Sequence, residues 1–169
     1  MEVEIHRLVK KAIRGNKNAF EQLVQHHYER IYRTAYLYVH NEADALDVVQ
    51  EATYQAYKSI NSLRNPEYFT TWFTRIVIRC SGHLIKKRDN VISLGDELLT
   101  NLPDESNANI EESSELLHAV QQLRLNYRTA ILLFYYHDYS IKTISHVMGI
   151  PENTVKTYLS RGKAEEKQS

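Results

Sequence analysis

The sequence predicts an all-α fold: two small helical domains joined by an acidic flexible linker. Three observations carry this. Apolar residues recur three and four apart through most of the 169 residues, the spacing of an amphipathic helix. Five Gly and three Pro are too few for a loop-rich all-β fold. The charge, zero in total, is segregated: residues 1–89 carry a net +4, residues 90–118 carry seven acids and no Lys or Arg, and residues 119–169 carry +3. The acidic stretch also holds Gly95, Pro103 and several Asn and Ser, the composition of a connector. The expected organisation is therefore a domain over 1–89, a linker over 90–112 and a domain over 113–169. With 43% hydrophobic and 25% charged residues, wholesale disorder is excluded. A lone cysteine, Cys80, excludes a disulfide framework and a multi-thiolate zinc site. No apolar run approaches the ~20 residues of a membrane helix, and the opening Met1-Glu-Val-Glu has no signal-peptide pattern. The expected location is cytoplasmic.

The first helix, about 3–14, places Ile5, Leu8, Val9, Ala12 and Ile13 on one stripe and stops at Gly15. Asn18, with Glu21 as its capping-box partner, is expected to open the next helix, about 19–39. Its apolar face is Phe20, Leu23, Val24, His27, Ile31, Ala35 and Tyr38. His27 reads as a satisfied core or boundary histidine. The other histidines are scattered, with no metal-ligand spacing.

Asn41 caps a third helix, about 42–60, whose core face is Ala45, Val48, Val49, Ala52, Ala56 and Ile60. A different face carries Asp44, Asp47, Gln50, Glu51 and Tyr54, with the three acids at offsets of 0, 3 and 7 residues. Such a stripe is a solvated face, a docking surface for a basic partner, or a divalent-metal carboxylate site, although no second acidic helix pairs with it. Asn65-Pro66 then marks the start of a fourth helix reaching about Arg88. Phe69, Trp72, Phe73, Ile76, Val77, Cys80 and Leu84 form its apolar stripe. Arg75, Arg79, His83 and Lys86 run along another face, either solvated or tracking phosphates. Cys80, lying on the apolar stripe, reads as a packing residue.

Beyond the linker, Leu116, Leu117, Val120 and Leu123 predict a short helix and residues 127–137 another. Ser140 caps Ile141–Met148, Gly149 breaks it, and Pro151 precedes a last helix with Val155 and Leu159 turned inward. Helix, tight glycine turn, helix is the helix-turn-helix pattern. The last helix offers Asn153, Lys156, Thr157, Ser160 and Arg161 outward. Asn and Arg suit base edges, and Lys and Thr suit phosphates. A small helical packing domain is the other reading.

Taken together, Asp44-Ala-Leu-Asp47-Val-Val-Gln50-Glu51, Trp72-Phe73-Thr-Arg75-Ile76 with Lys86-Lys87-Arg88, and Tyr139-Ser140, Ile144, Met148-Gly149-Ile150-Pro151, Thr154-Val155-Lys156 and Leu159-Ser160-Arg161 resemble a bacterial RNA polymerase sigma factor of the extracytoplasmic function group. The resemblance covers about 18–163. It implies no catalytic residues, no metal or cofactor and no small-molecule substrate. It implies that Asp44, Asp47, Gln50 and Glu51 dock on the clamp helices of the largest polymerase subunit, with the polymerase flap as a further contact. It also implies that the loop from Asn61 to Asn65, with Arg64 reaching, captures a flipped base of the promoter's minus-ten element, supported by Trp72, Arg75, Arg79, His83 and Lys86. Asn153, Lys156, Thr157, Ser160 and Arg161 would read the minus-thirty-five duplex, and an anti-sigma factor, often membrane-bound in this group, would sequester both domains. The linker would thread a basic channel of the polymerase. Fully extended, its 23 residues reach about 75–80 Å, against about 70 Å for two turns of DNA.

Several positions depart from the family pattern. Thr143-Ile144-Ser145 stands where Glu-Ile-Ala is frequent, Asn153 for a Gly, Tyr158 for an Arg, and Arg79 and His83 for Asn and Asp. Two rival functions remain at this level: a helix-turn-helix regulator that never joins polymerase, and a hydrolase using Asp44, Asp47 and Glu51 on a metal.

Overall fold

The computed structural model describes residues 2–99 and 107–168, and every regular element among them is helical. The chain divides into two compact units, Met1–Ile85 and Lys86–Ser169.

In the first unit, α1 (Glu2–Ile13) has acids in its first turn and lysines in its last, matching the helix dipole at both ends. Gly15, at φ +102°, turns the chain, and Asn16 in extended conformation caps α2 (Lys17–Val39) by accepting the Ala19 N–H at 3.0 Å. The expected cap, Asn18, is instead inside the helix. The turn at Gly15 is so tight that the first Asn after it already has cap geometry. His40, at φ +63°, closes α2 by donating its N–H to Tyr36. One residue later Asn41 caps α3 (Glu42–Ser59). Short 3-10 turns at Ile60–Ser62 and Pro66–Tyr68 follow, and then α4 (Phe69–Leu99).

α2 packs against α1 and α3, and α1 also packs against both 3-10 turns. The core holds Val9, Leu23, Tyr38, Val48, Phe69, Phe73 and Val77, all essentially buried. The alanines Ala35, Ala45, Ala52 and Ala56 are fully buried, which lets helix backbones approach closely. Trp72, placed on the apolar stripe by its spacing, is half-buried, its ring 5.9 Å from that of Phe69. Cys80 is buried and its thiol is pushed up to about 11, chiefly by burial and further by the charge of Glu51. A thiol held that firmly protonated packs rather than reacts.

His27 is a boundary histidine, as its place on the apolar face predicts. Its Nδ1–H donates to the Leu23 carbonyl at 2.8 Å, its Nε2 faces the Thr70 hydroxyl at 3.5 Å, and its ring sits edge-on to Phe69. Burial lowers its pKa below the ordinary 6.5, against the raising effect of the Leu23 hydrogen bond. The folded protein therefore binds this proton less readily than the unfolded chain. The stability linked to neutral His27 is complete above about 6.5 and is lost as pH falls towards the lowered folded value. Urea unfolding at pH 7.5 and 5.5 is expected to show a larger acid loss for the natural protein than for His27→Gln.

The helix α4 continues to Leu99 and α5 (Asn107–Ile131) begins inside the expected linker. Residues 90–112 are thus divided between the end of α4, residues 100–106, and the start of α5; the part of the linker at 100–106 lies outside the described residues. The sequence contains the reason. Val91, Ile92, Leu94, Leu98 and Leu99 keep a helix-compatible spacing that Gly95 alone does not stop, and the first strong breaker is Pro103. Helical residues rise about 1.5 Å each, so the fully extended reach does not apply to this conformation.

In the second unit the two expected helices at 116–123 and 127–137 are one. α5 runs unbroken to Ile131 and ends in a wide π turn, Leu132–Tyr136. Arg124-Leu125-Asn126 contains no breaker, and the Gln122 amide bonds to Asn126 along the helix at 3.2 Å. Ser140 caps α6 (Ile141–Met148) by accepting the Thr143 N–H. Gly149, at φ +67°, ends it with both its own N–H and that of Ile150 on the Ser145 carbonyl. That left-handed position is why a glycine is needed there. Pro151 precedes α7 (Glu152–Gln168) and its carbonyl accepts the Thr154 and Val155 N–H groups. Leu133, Ile144 and Val155 are fully buried. α7 crosses α5 at Gly162, where an added Cβ would fall 2.3 Å from Ile131 Cδ1.

Candidate nucleic-acid and docking interfaces

The expected acidic stripe lies along α3, but its four members are not equivalent. Asp44 is half-buried and works within the cap: its N–H donates to Asn41 Oδ1 at 2.8 Å, and the Asn41 amide donates back to Asp44 Oδ2 at 2.7 Å. Asp47, Gln50 and Glu51 are exposed. Glu51 accepts from the Gln55 amide at 2.9 Å, and Lys58 lies over the Tyr54 ring at 5.0 Å. Leu46, 43% exposed, sits next to this stripe and was not singled out from sequence. Its signal was there: it falls outside the Ala45, Val48, Val49 core period. An exposed apolar side chain bordered by open acids offers a partner apolar area together with charge complementary to a basic surface. Among the described residues no three His, Cys, Asp or Glu side chains converge on a point where a metal ion could be held.

The loop between the two 3-10 turns is an extended strap. Leu63 and Asn65 have β backbone angles, and Arg64 between them is exposed. Asn61 belongs to the first turn and is exposed. Asn65 caps the second turn, its Oδ1 accepting the Glu67 N–H at 3.1 Å. Its carbonyl oxygen is therefore committed, and its amide N–H groups are what it can offer a base. Along α4, Arg75, Arg79, His83 and Lys86 are exposed, and their spacing places them on the face that also holds Trp72. Tyr68, 61% exposed, stands at the start of the same face. Aromatic rings offer a base a surface to stack on, and cations along the same face offer charge to phosphates.

In the helix-turn-helix, Asn153, Lys156, Thr157, Ser160 and Arg161 are all exposed, and Thr157 Oγ1 donates to the Asn153 carbonyl at 3.1 Å. Leu116, Leu117, Val120 and Leu123, expected on a short helix of their own, lie on α5 and stay 37–67% exposed. They lie N-terminal to the part of α5 that carries the buried residues Tyr127, Thr129 and Ala130.

Two family models match. Sigma-70 region 2 covers residues 23–91, and sigma-70 region 4 covers residues 113–165. The chain belongs to the sigma-70 family of RNA polymerase sigma factors, in the extracytoplasmic function group. It is 33% identical over 135 residues to the RNA polymerase sigma factor SigV of Bacillus subtilis, covering 80% of this chain and 81% of that one. It is 30% identical to the ECF RNA polymerase sigma factor SigW of the same organism, over 96% of this chain and 95% of that one. A solved structure of CnrH in complex with the cytosolic domain of CnrY shares the fold, with a TM-score of 0.64, 23% identity, and coverage of 95% and 93% of the two chains.

Two departures from the usual sigma-factor pattern have local causes. Ser145 Oγ donates to the Ile150 carbonyl, tying α6 to the turn that an alanine there would leave untied. Tyr158 packs edge-on against Tyr127, with ring centroids 5.4 Å apart, so this position serves the domain core rather than DNA. Nothing in the structure explains Arg79 or His83 in place of Asn and Asp.

Proposed function

We propose that this sigma factor joins core RNA polymerase and directs initiation at a set of promoters, with an anti-sigma factor as its regulator. The observation that carries the reading is the presence in one chain of an acidic, partly apolar face on α3 and two separate exposed faces rich in cations and hydrogen-bond donors. One of these lies on the loop and α4, the other on α7.

In this scheme Asp47, Gln50 and Glu51, with Leu46, meet the clamp helices of the largest subunit, while Asp44 holds the start of α3 in place. Arg64 and the Asn65 amide receive an unstacked base of the minus-ten element. Tyr68 and Trp72 give its neighbours a ring to stack on, and Arg75, Arg79, His83 and Lys86 neutralise the strand. Capturing a flipped base costs a few kcal/mol, which stacking at about 1–3 kcal/mol per base can offset. The α7 face reads the minus-thirty-five duplex, and the open apolar stripe of α5 receives the polymerase flap. The chain contributes no catalytic residue, because phosphodiester synthesis belongs to the polymerase. Its place of work is the cytoplasm, and no helix among the described residues is long and apolar enough to cross a membrane.

Run-off transcription with purified core polymerase on a genomic promoter library tests this. Starts that depend on the chain and share upstream sequence are the expected result. A chain that binds the same DNA without changing where polymerase starts would instead be a separate helix-turn-helix regulator.

A further inference from the structure

The positive charge of the first block lies in two acid-free stretches: residues 68–88, with Arg75, Arg79, Lys86, Lys87 and Arg88, and residues 5–20. Residues 1–89 hold 14 Lys and Arg and 10 Asp and Glu; without residues 5–20 they hold nine and ten. Residues 5–20 carry Arg7, Lys10, Lys11, Arg14 and Lys17 and no acid at all. The first three lie on α1 and Arg14 directly follows it, away from its buried residues Val9 and Ala12, and all four are exposed. Among the described residues none of the four forms an ion pair. Their spacing of three and four residues makes these like charges neighbours, and a bound anion relieves their repulsion.

The position of α1 says which counter-charge. Its buried side packs against both 3-10 turns, Ile60–Ser62 and Pro66–Tyr68. These turns hold the two ends of the loop assigned above to base capture. A strand whose base enters that loop must run its backbone past the elements on either side, and α1 is one of them.

We infer that the outward face of α1, Arg7, Lys10 and Lys11, together with Arg14 just beyond its end, is a second nucleic-acid contact that holds the sugar-phosphate backbone of the single promoter strand beside the loop. This rests on the promoter reading of the loop. Cations spread along an open helix face meet phosphates, so the face adds affinity and positions the strand without choosing sequence. It also gives α1 a purpose beyond buttressing: the helix that holds the loop in place also holds the DNA against it.

The test uses the full chain bound to core polymerase and a forked promoter already single-stranded at the minus-ten element. The variant replaces Arg7, Lys10, Lys11 and Arg14 with Gln, and the pair Lys10→Gln with Arg14→Gln serves if four changes disturb α1. Affinity is expected to fall about equally for all minus-ten sequences. The dependence of log K on log salt is expected to become shallower by about 0.7 for each lost single-strand phosphate contact, about 2–3 in all for the fourfold variant. Binding to core polymerase stays unchanged. An unaltered salt slope overturns the proposal, and so does a loss confined to core-polymerase binding, which would mean an acidic protein partner instead. Arg64→Ala with Asn65→Ala separates the two readings. If that variant keeps the natural minus-ten preference while the α1 variant still flattens the salt slope, the loop assignment fails and the α1 contact stands. If the loop variant shifts the preference and the α1 slope is unchanged, the reverse holds.

Discussion

Reversing two exposed acids, Asp47→Arg with Glu51→Arg, is expected to weaken binding to core RNA polymerase at least a hundredfold and to remove promoter-dependent transcription. Both side chains are exposed on α3, and neither supports the core. Close charge pairs across an interface couple by about 1.5–7 kcal/mol, so two repelling pairs in place of two attracting ones exceed the roughly 3 kcal/mol that a hundredfold represents. The readout is the dissociation constant of the full chain and core polymerase at two salt concentrations. Thermal unfolding should barely move. Asp44→Arg is the informative contrast. It removes the Asp44 Oδ2 that accepts from the Asn41 amide while leaving the backbone bond to Asn41 Oδ1, and it puts a cation at a helix N-terminus, so it should cost some stability as well as binding. Intact core binding in the double variant would remove α3 as the docking face.

How much of this was legible beforehand depended on which physical signal each feature left in the chain. The caps at Asn41, Ser140 and Gly149 were readable because each pairs a residue type with a backbone requirement: an extended Asn or Ser before a helix, a left-handed glycine after one. The buried face of α3 was readable for a similar reason, since Ala45, Val48, Val49, Ala52 and Ala56 keep a strict helical period and all are buried. Asn16 and Asn18 were harder to separate, because both are good caps two residues apart and only the turn at Gly15 decides between them. The fusion of two expected helices into α5 was hidden for another reason. A run of apolar residues shows that a helix is amphipathic but not what covers it, and Leu116, Leu117, Val120 and Leu123 look like core in sequence although unit two leaves them open. The same limit applied to α1, whose apolar stripe was plain while the meaning of its basic side depended on which elements it packs against.

Site residues divided along the same line. Spacing alone placed Asp47, Gln50 and Glu51 on one face, and it placed Arg75, Arg79, His83 and Lys86 on another. What spacing could not supply was the state of each side chain. Asp44 is half consumed by its cap, and the Asn65 carbonyl oxygen is consumed by Glu67 N–H. In both cases a residue the family pattern marks for a partner also builds the local backbone. Substituting it therefore confuses folding with binding, whereas its exposed neighbours give clean tests.

The recognition helix provides the cleanest of these tests, because the residues that hold it and the residues it displays are disjoint. Val155 and Gly162 are buried and Tyr158 packs on Tyr127, while Lys156 and Arg161 are exposed and contribute nothing to that packing. Arg161→Ala is expected to cost about 1–3 kcal/mol of promoter binding and to relax the base preference at one position of the minus-thirty-five element, as the loss of a base-edge contact does. Lys156→Ala is expected to weaken all minus-thirty-five sequences about equally and to lower the salt slope by about one, as the loss of a phosphate contact does. Both should leave use of a forked template lacking the upstream duplex unchanged, because the loop and α4 engage that template without α7. Competition between promoters that differ at single minus-thirty-five positions measures the first effect, and salt titration the second. The two signatures differ in kind, so a pair of variants that both weaken binding without either changing base preference would show that α7 lies along the backbone instead of in the major groove.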